Sequence, residues 1–308
     1  MMKIMTAIVA IENKNISDVV IVGDEIKDAY GSGIYIKDGE EITLEALLYG
    51  LMLRSGNDAS LAIAKYVGGS VDEFVNLMNR KAEEIGMKNT VFNNPNGLDE
   101  NKGNMSTAYD MALLTSYAMK NETYRKIVST KKYTLKTNLN YYSWINKHKL
   151  LHSYQYATGG KTGFTEIAKR TLVTTATKDN INLVAVTLND GNDFLDHKNL
   201  FEEAFKNYEN YNILKRGNVS IIGEEYYQND NLYIKNDFNI TLPKGDHKVI
   251  LNYKIERKEY YENDEEIGKI EIIVDDKNVH SEPIYVIKAI EKKETFLDKV
   301  KEWFKNLW

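Results

Sequence analysis

The sequence predicts an α/β domain, an antiparallel sheet with helices packed on it, followed by a small β-sandwich and a C-terminal amphipathic helix. Three observations carry that prediction. Through residues 1–210, helical periods of three and four alternate with short β-branched runs. Through residues 211–291, short strands follow one another with turn residues between them, the spacing of a small sandwich. Residues 292–308 return to a helical period. With 308 residues, 43% of them hydrophobic, the chain can bury one large core and a smaller second one, so two domains are expected.

The chain opens MMKIMTAIVAIENKN. A lone Lys3 before the apolar run 4–11 fits either the front of a secretory signal or the start of a buried helix. No small-residue cleavage site follows, since Glu12, Asn13 and Lys14 come next, and the rest of the chain has to decide. Residues 42–66 read as helix, interrupted at Arg54-Ser55-Gly56-Asn57. Residues 71–85 form an amphipathic helix with Val71, Phe74, Val75, Met78, Ala82 and Ile85 on one face. Asn93-Asn94-Pro95-Asn96-Gly97 has the chemistry of a loop, and 107–120 that of a third helix. Residues 171–176 and 183–188 are β-branched runs joined by the polar turn Lys178-Asp179-Asn180, a hairpin, and 196–208 returns to helix. In the second part, strands are expected at 219–222, 231–234, 247–253, 269–274 and 283–289.

Composition removes several function classes. A net charge of -5 and a pI near 5.7 argue against a nucleic-acid partner, which needs a basic stripe to displace counterions. The absence of cysteine excludes thiolate catalysis, thiolate metal sites and disulfides. No apolar run reaches the roughly 18 residues that span a bilayer as a helix. His148, His152, His197, His247 and His280 show no metal-ligand spacing, so surface or supporting roles are expected and no metal. Gly31-Ser32-Gly33 precedes strand-like residues and no helix, so it is not a phosphate loop, and no cofactor is implied.

The chemistry rests on three short strings: Lys3 in the opening run, Ser55-Gly56-Asn57, and Lys161-Thr162-Gly163. Alone, Ser55 reads as a helix N-cap and Lys161 as a solvated loop lysine. In this order, with the first in a buried helix and the last opening a strand, they match the motifs of serine β-lactamases and penicillin-binding proteins. That set begins S-x-x-K, and here the serine would fall one position before Met1. Residues 3–12, 47–64, 91–119 (with Asn96-Gly97-Leu98 and Thr107-Ala108-Tyr109-Asp110) and 161–188 resemble the low-molecular-mass D-alanyl-D-alanine carboxypeptidases. The β-rich tail agrees with that family's second domain. One departure is the segment 164–170, which lacks the glycine usual near Lys169.

The resemblance implies a β-lactamase/transpeptidase-like fold that removes the terminal D-alanine of peptidoglycan pentapeptides through an acyl-enzyme, and that penicillins acylate. A serine three residues ahead of a lysine on one helix puts hydroxyl and amine a turn apart. Lys3, desolvated and near another cation, can lose its proton and act as the base for that hydroxyl. Ser55 would pass a proton to the leaving amine, and Asn57 would hold the substrate peptide. Lys161 supplies positive potential and Thr162 a hydroxyl for the terminal carboxylate, with Lys147 as the further basic residue the family places upstream. Gly163 allows close approach of substrate backbone, and the Phe164 N–H is one oxyanion donor, the missing serine's own N–H being the other. Ser129-Thr130-Lys131-Lys132 also spells S-x-x-K, but in a polar stretch that cannot bury the lysine, so it is expected to be inert.

On this reading residues 1–11 are an active-site helix cut between nucleophile and base, with the export signal, first strand and serine upstream, and the chain as written inactive. At the other end, Phe296, Val300, Trp303, Phe304 and Leu307 recur at three and four among lysines and acids, a pattern that can lie in a membrane interface. The expected partners are therefore a peptidoglycan stem peptide, β-lactams and a membrane surface, on the outer face of the cytoplasmic membrane. Two alternatives stand beside this. A β-lactamase of the same fold would need a carboxylate base, and residues 92–104 contain no E-x-x-L-N. A non-catalytic module could hold a peptidoglycan peptide or a β-lactam through Ser55, Asn57, Lys161 and Thr162 without cleaving it.

Overall fold

A helix that is apolar on every side has to be enclosed, and the opening run is. In the computed structural model, which describes residues 1–99 and 103–289, helix α1 (Lys3–Asn13) has residues 3–10 all buried. Strands β1 (Val19–Ile21) and β2 (Glu41–Thr43) pair antiparallel beside it. Helix α2 (Leu44–Tyr49) starts where the Thr43 hydroxyl accepts the Ala46 N–H, then widens into a π-helical turn at Gly50–Arg54. That turn ends on Ser55, held in the left-handed region at φ 65°, before α3 (Asn57–Gly68). The interruption expected at residues 54–57 is thus a real break, and it projects Ser55 out of a buried helical path.

Helix α4 (Val71–Ile85) buries Phe74, Met78 and Ala82 and is capped by Ser70. Helix α5 (Ala108–Ala118) is capped by Thr107, and α6 (Glu122–Ser129) by Asn121. Strands β3 (Lys132–Lys136) and β4 (Tyr141–Ile145) form a hairpin that the sequence reading did not anticipate, with Tyr142 and Trp144 turned inward. Short helix α7 (Lys149–Ser153) leads to the three-stranded antiparallel sheet β5 (Ala157–Thr165), β6 (Lys169–Lys178) and β7 (Ile181–Leu188), followed by α8 (Asp193–Asn207). Asp179 and Asn180 both take positive φ, the two-residue turn chemistry that favours the β6–β7 hairpin. Lys161 lies in the middle of β5, paired with Val173, where the reading had it opening a strand. The main core gathers Ile4, Met5 and Ile8 of α1 with residues of α2 to α6 and Val173 of β6.

The chain divides into two units, Met1–Asn207 and a second beginning at Tyr208. In the second, β9 (Gly217–Asn218), β10 (Asn231–Ile234), β12 (Val249–Ile255), β13 (Glu265–Val274) and β14 (Lys277–Ile287) make one sheet in the order β12-β13-β14-β10-β9. Strands β8 (Tyr208–Leu214) and β11 (Phe238–Pro243) make a separate ribbon on the same core, which centres on Ile267, Ile270, Ile272, Ile284 and Val286. The strand expected at 219–222 is instead a short bridge at 217–218 running into a turn. Val219 and Ile221 pack on the core from that loop, while Ile222 is fully exposed. The membrane-facing residues expected at Phe296, Val300, Trp303, Phe304 and Leu307 lie outside the described residues, among which no helix is long and apolar enough to cross a membrane.

One buried carboxylate ties α3 to the loop in front of it. Asp58 accepts the backbone N–H groups of Ile34 at 3.0 Å, Tyr35 at 2.6 Å and Ile36 at 3.3 Å. Replacing Asp58 with alanine leaves those donors unpaired, each a cost of about 1–3 kcal/mol. We expect Asp58→Ala to lower the stability of the first unit by about 3 kcal/mol in urea unfolding. An unchanged midpoint would show that the loop finds other acceptors.

Candidate active site

Lys3 sits in the first turn of α1 and is 5% exposed. Its Nζ donates to Asn57 Oδ1 at 2.7 Å and to the Asn96 carbonyl. Asn57 opens α3, and its own amide is fixed because Nδ2 donates to the Tyr30 carbonyl at 2.6 Å. One turn further along α1, Thr6 Oγ1 donates to the Pro95 carbonyl at 2.6 Å, so one face of the helix is stitched to the 94–98 loop. Asn94 and Asn104 hold that loop in shape, Asn94 Oδ1 accepting the Gly97 N–H at 2.7 Å and Asn104 Oδ1 accepting the Asn93 N–H at 2.6 Å. Asn96 appeared in the sequence only as part of a loop motif. Its contribution is a backbone carbonyl, which no side-chain pattern announces.

Lys161 is 2% exposed, and its Nζ donates to the carbonyl of Thr162 at 2.8 Å. Thr162, Gly163 and Phe164 continue β5 along one wall of a cleft of about 440 Å³, with Lys3, Ser55 and Asn57 on its other walls. A Cβ on Gly163 would meet Thr171 Oγ1 at 2.5 Å, so only glycine keeps this wall as it is. Phe164 stands 68% exposed at the rim. The Ser55 hydroxyl has no hydrogen-bond partner among the described residues and faces the cleft lining from its left-handed backbone position. Lys147 is not among the residues lining the cleft; it lies between β4 and α7, where its N–H donates to the Leu53 carbonyl at 3.1 Å. Ser129 and Lys132 of the second S-x-x-K string are both exposed, at the end of α6 and the start of β3.

Three cations thus crowd one region, and burial decides which stay charged. Desolvation lowers Lys3 to about 7, the Lys147 charge pushes the same way, and Asp58 pulls back. Lys161 is held well below its ordinary value by burial, then by Lys3 and Lys147. Lys147 itself is lowered by partial burial and by Arg54. A neutral Lys3 amine has two N–H bonds and one lone pair. Asn57 and Asn96 take both donors, which leaves the lone pair to receive a proton.

The segment 165–169, where the expected glycine is absent, turns with Lys169 at φ 55°. A lysine there accepts a left-handed backbone that glycine adopts without strain, at a cost of roughly 1 kcal/mol. His148 and His197 were expected at the surface or in support, and both are buried, on either side of Thr174. Among the described residues no group of ligands could hold a metal ion.

Comparison with known proteins follows the same lines. The D-alanyl-D-alanine carboxypeptidase family matches residues 1–192. The chain belongs to this family. The C-terminal domain of penicillin-binding protein 5 matches residues 208–292. D-alanyl-D-alanine carboxypeptidase DacF of Bacillus subtilis is 37% identical over 70% of this chain, which spans only 58% of that relative's length. DacC of Escherichia coli is 28% identical over 98% of this chain and 82% of its own. The crystal structure of penicillin binding protein 5 from Haemophilus influenzae superposes with a TM-score of 0.73 at 26% identity, covering 94% of this chain and 88% of that one. The likeness extends through both units of this carboxypeptidase-family chain.

The depressed Lys3 has a thermodynamic signature. Its proton is held up to about pH 7 in the folded chain and up to the ordinary 10.5 in the unfolded one. Between those limits the unfolded state binds the extra proton, so stability rises with pH by up to about 1.4 kcal/mol per unit. Below about pH 7 the folded state carries the full burden of a buried charge. Lys3→Met is therefore expected to be more stable than the parent at pH 6, with the advantage shrinking toward pH 10. Parallel stability curves for the two proteins across that range would show that Lys3 is not desolvated.

Proposed function

We propose that this chain carries the site of a serine-type D-Ala-D-Ala carboxypeptidase, which trims the terminal D-alanine of peptidoglycan pentapeptides and is acylated by penicillins outside the cytoplasmic membrane. The single observation behind this is the buried Lys3 amine with both donors taken by Asn57 and Asn96 and its lone pair free. The nucleophile belongs three residues ahead of Lys3, a place that precedes Met1 in this sequence. In that scheme the serine hydroxyl gives its proton to Lys3 as its oxygen attacks the penultimate D-alanine carbonyl. Ser55 relays a proton to the departing D-alanine amine, giving its own and taking one from Lys3, and water then hydrolyses the acyl-serine. Asn57 holds the peptide backbone. Lys161, Thr162 and Lys147 attract the terminal carboxylate, and Gly163 and the Phe164 N–H line the carbonyl's approach.

The 308-residue chain is expected to release no D-alanine and to take no covalent label from a fluorescent penicillin. The chain extended by an upstream segment ending in serine should be labelled. Lys3→Ala in that longer chain should slow acylation by at least about two orders of magnitude, the usual size of general-base effects. Acylation needs neutral Lys3, so its rate should climb with pH through about 7. Full-rate labelling of the Lys3→Ala chain would make the lysine structural and remove the mechanism. Labelling of the 308-residue chain at Ser129 or Ser55 would assign a different nucleophile. A binding-only reading would rest on the same cleft lining, with Ser55, Asn57 and Thr162 holding a ligand. Unlabelled but saturable, competitive binding of penicillin to the 308-residue chain would support it.

The terminal segment is proposed to bind bilayers through Phe296, Val300, Trp303, Phe304 and Leu307. Lysines and acids nearly cancel there, so affinity should come mainly from apolar burial at roughly 25 cal/mol per Å² and survive moderate salt. Vesicle co-sedimentation of the full chain against one ending at Glu294 checks this. Equal sedimentation would assign the segment to protein packing.

A further inference from the structure

His148 is an enclosed imidazole directly behind the cleft. It is 1% exposed, and burial lowers it to about 4, with the Val173 carbonyl bond opposing and His197 and Lys161 adding to the effect. The ring is therefore neutral. Its Nε2 lies 3.1 Å from the Val173 carbonyl and 3.1 Å from Thr174 Oγ1, both on β6, so Nε2–H is the donor to that carbonyl. Thr174 Oγ1 is also 2.8 Å from His197 Nδ1, which extends the chain of contacts to α8. The edge of the His148 ring meets Phe194 of the same helix.

Two features make this ring more than filling. The first is its seat under β5. A Cβ on Gly160 would land 2.7 Å from His148 Nε2 and 2.1 Å from the Val173 carbonyl, so the ring and this glycine fit one another, one residue from Lys161. Gly160 also takes φ 145°, which side-chain-bearing residues rarely adopt. The second is its place in the chain, next to Lys147. The preceding residue is anchored too: buried Asn146 donates through Nδ2 to the Thr130 carbonyl at 3.1 Å, and its Oδ1 accepts the His148 N–H at 3.0 Å. Lys147 is thus a surface residue clamped between two buried ones. A long cation on a free loop would spread its charge over many positions, whereas a clamped one acts on a fixed spot.

We propose that His148 is a positioning residue, whose ring, locked on β6 beneath Gly160, fixes the stretches of backbone that carry Lys147 and Lys161. Lys147 then keeps its charge near Lys3, where Lys161, Asp58 and the amino group of Met1 are the other titratable groups. The proposal deepens the carboxypeptidase reading of this cleft, and its test does not need catalysis. The probe is an NMR titration of the full 308-residue chain labelled with 13C-lysine, the Lys3 signal being assigned by its loss in Lys3→Met. Lys147→Met removes the neighbouring cation and should raise the Lys3 midpoint from about 7 by about one unit, at the low end of what a nearby like charge does. His148→Ala should raise it by a similar amount, and the double variant should move it no further than either alone. His148→Gln, which keeps a donor for the Val173 carbonyl, should restore most of the parent midpoint. A folded His148→Ala with an unmoved Lys3 midpoint, or fully additive shifts in the double variant, overturns the proposal. Should His148→Ala fail to fold, an unmoved midpoint in Lys147→Met overturns it as well. Failure of the enzymatic reading would show instead as a serine-extended chain that penicillin does not label, with these midpoints unaffected.

Discussion

The first unit is arranged around one unfavourable act, the burial of the Lys3 amine. An ammonium taken out of water costs several kcal/mol unless it is paired, hydrogen-bonded or discharged. Among the described residues no carboxylate pairs with it directly. Instead Asn57 and Asn96 offer neutral acceptors, and burial, with the Lys147 charge adding to it, favours discharge. Everything that holds those two acceptors in place follows from this: the Tyr30 carbonyl on Asn57, the Asn94–Asn104 clasp on the 94–98 loop, and the Asp58 cap behind both. A group that is nearly half neutral at pH 7, with its lone pair unshared, is what general-base chemistry requires.

Lys3, Lys147 and Lys161 act on one another in the same arrangement. Lys147 adds to burial in lowering the proton affinity of Lys3, and Lys3 and Lys147 add to burial in lowering that of Lys161. The backbone departures sit at the same place: Ser55 in the left-handed region after a π-helical turn, Gly160 at positive φ over a histidine, and Lys169 in the turn beyond β5. Such conformations persist only where surrounding contacts over-determine them, and here the contacts come from Asp58, His148 and the paired strands.

Much of this was legible in the sequence, for a physical reason. Helices α3, α4 and α5 announce themselves through period and caps, and the β6–β7 hairpin through β-branched runs around an Asp-Asn turn, because burial of one face acts on local residues. The motif residues Lys3, Ser55, Asn57 and Lys161 are chemically distinctive, so their order alone pointed to one site. The β3–β4 hairpin was missed because Tyr141 to Ile145 alternates without a turn signal strong enough to separate it from the polar residues before it. The strand expected at 219–222 failed because apolar residues that pack from a loop look like those that pack from a strand.

By itself the sequence determined the fold class, the succession of a helical α/β unit and a β-rich one, and the order of the motif residues Lys3, Ser55, Asn57 and Lys161, since those depend on residue type and on periods of two and of three to four. Only the tertiary structure decided that Lys3 gives its protons to Asn57 and to a carbonyl of residue 96, that Lys161 is buried in mid-strand, and that His148 lies under Gly160. These are contacts across 54, 93 and 12 positions of chain. Their energies come from desolvation and from charges that meet only after folding, and no local pattern records them.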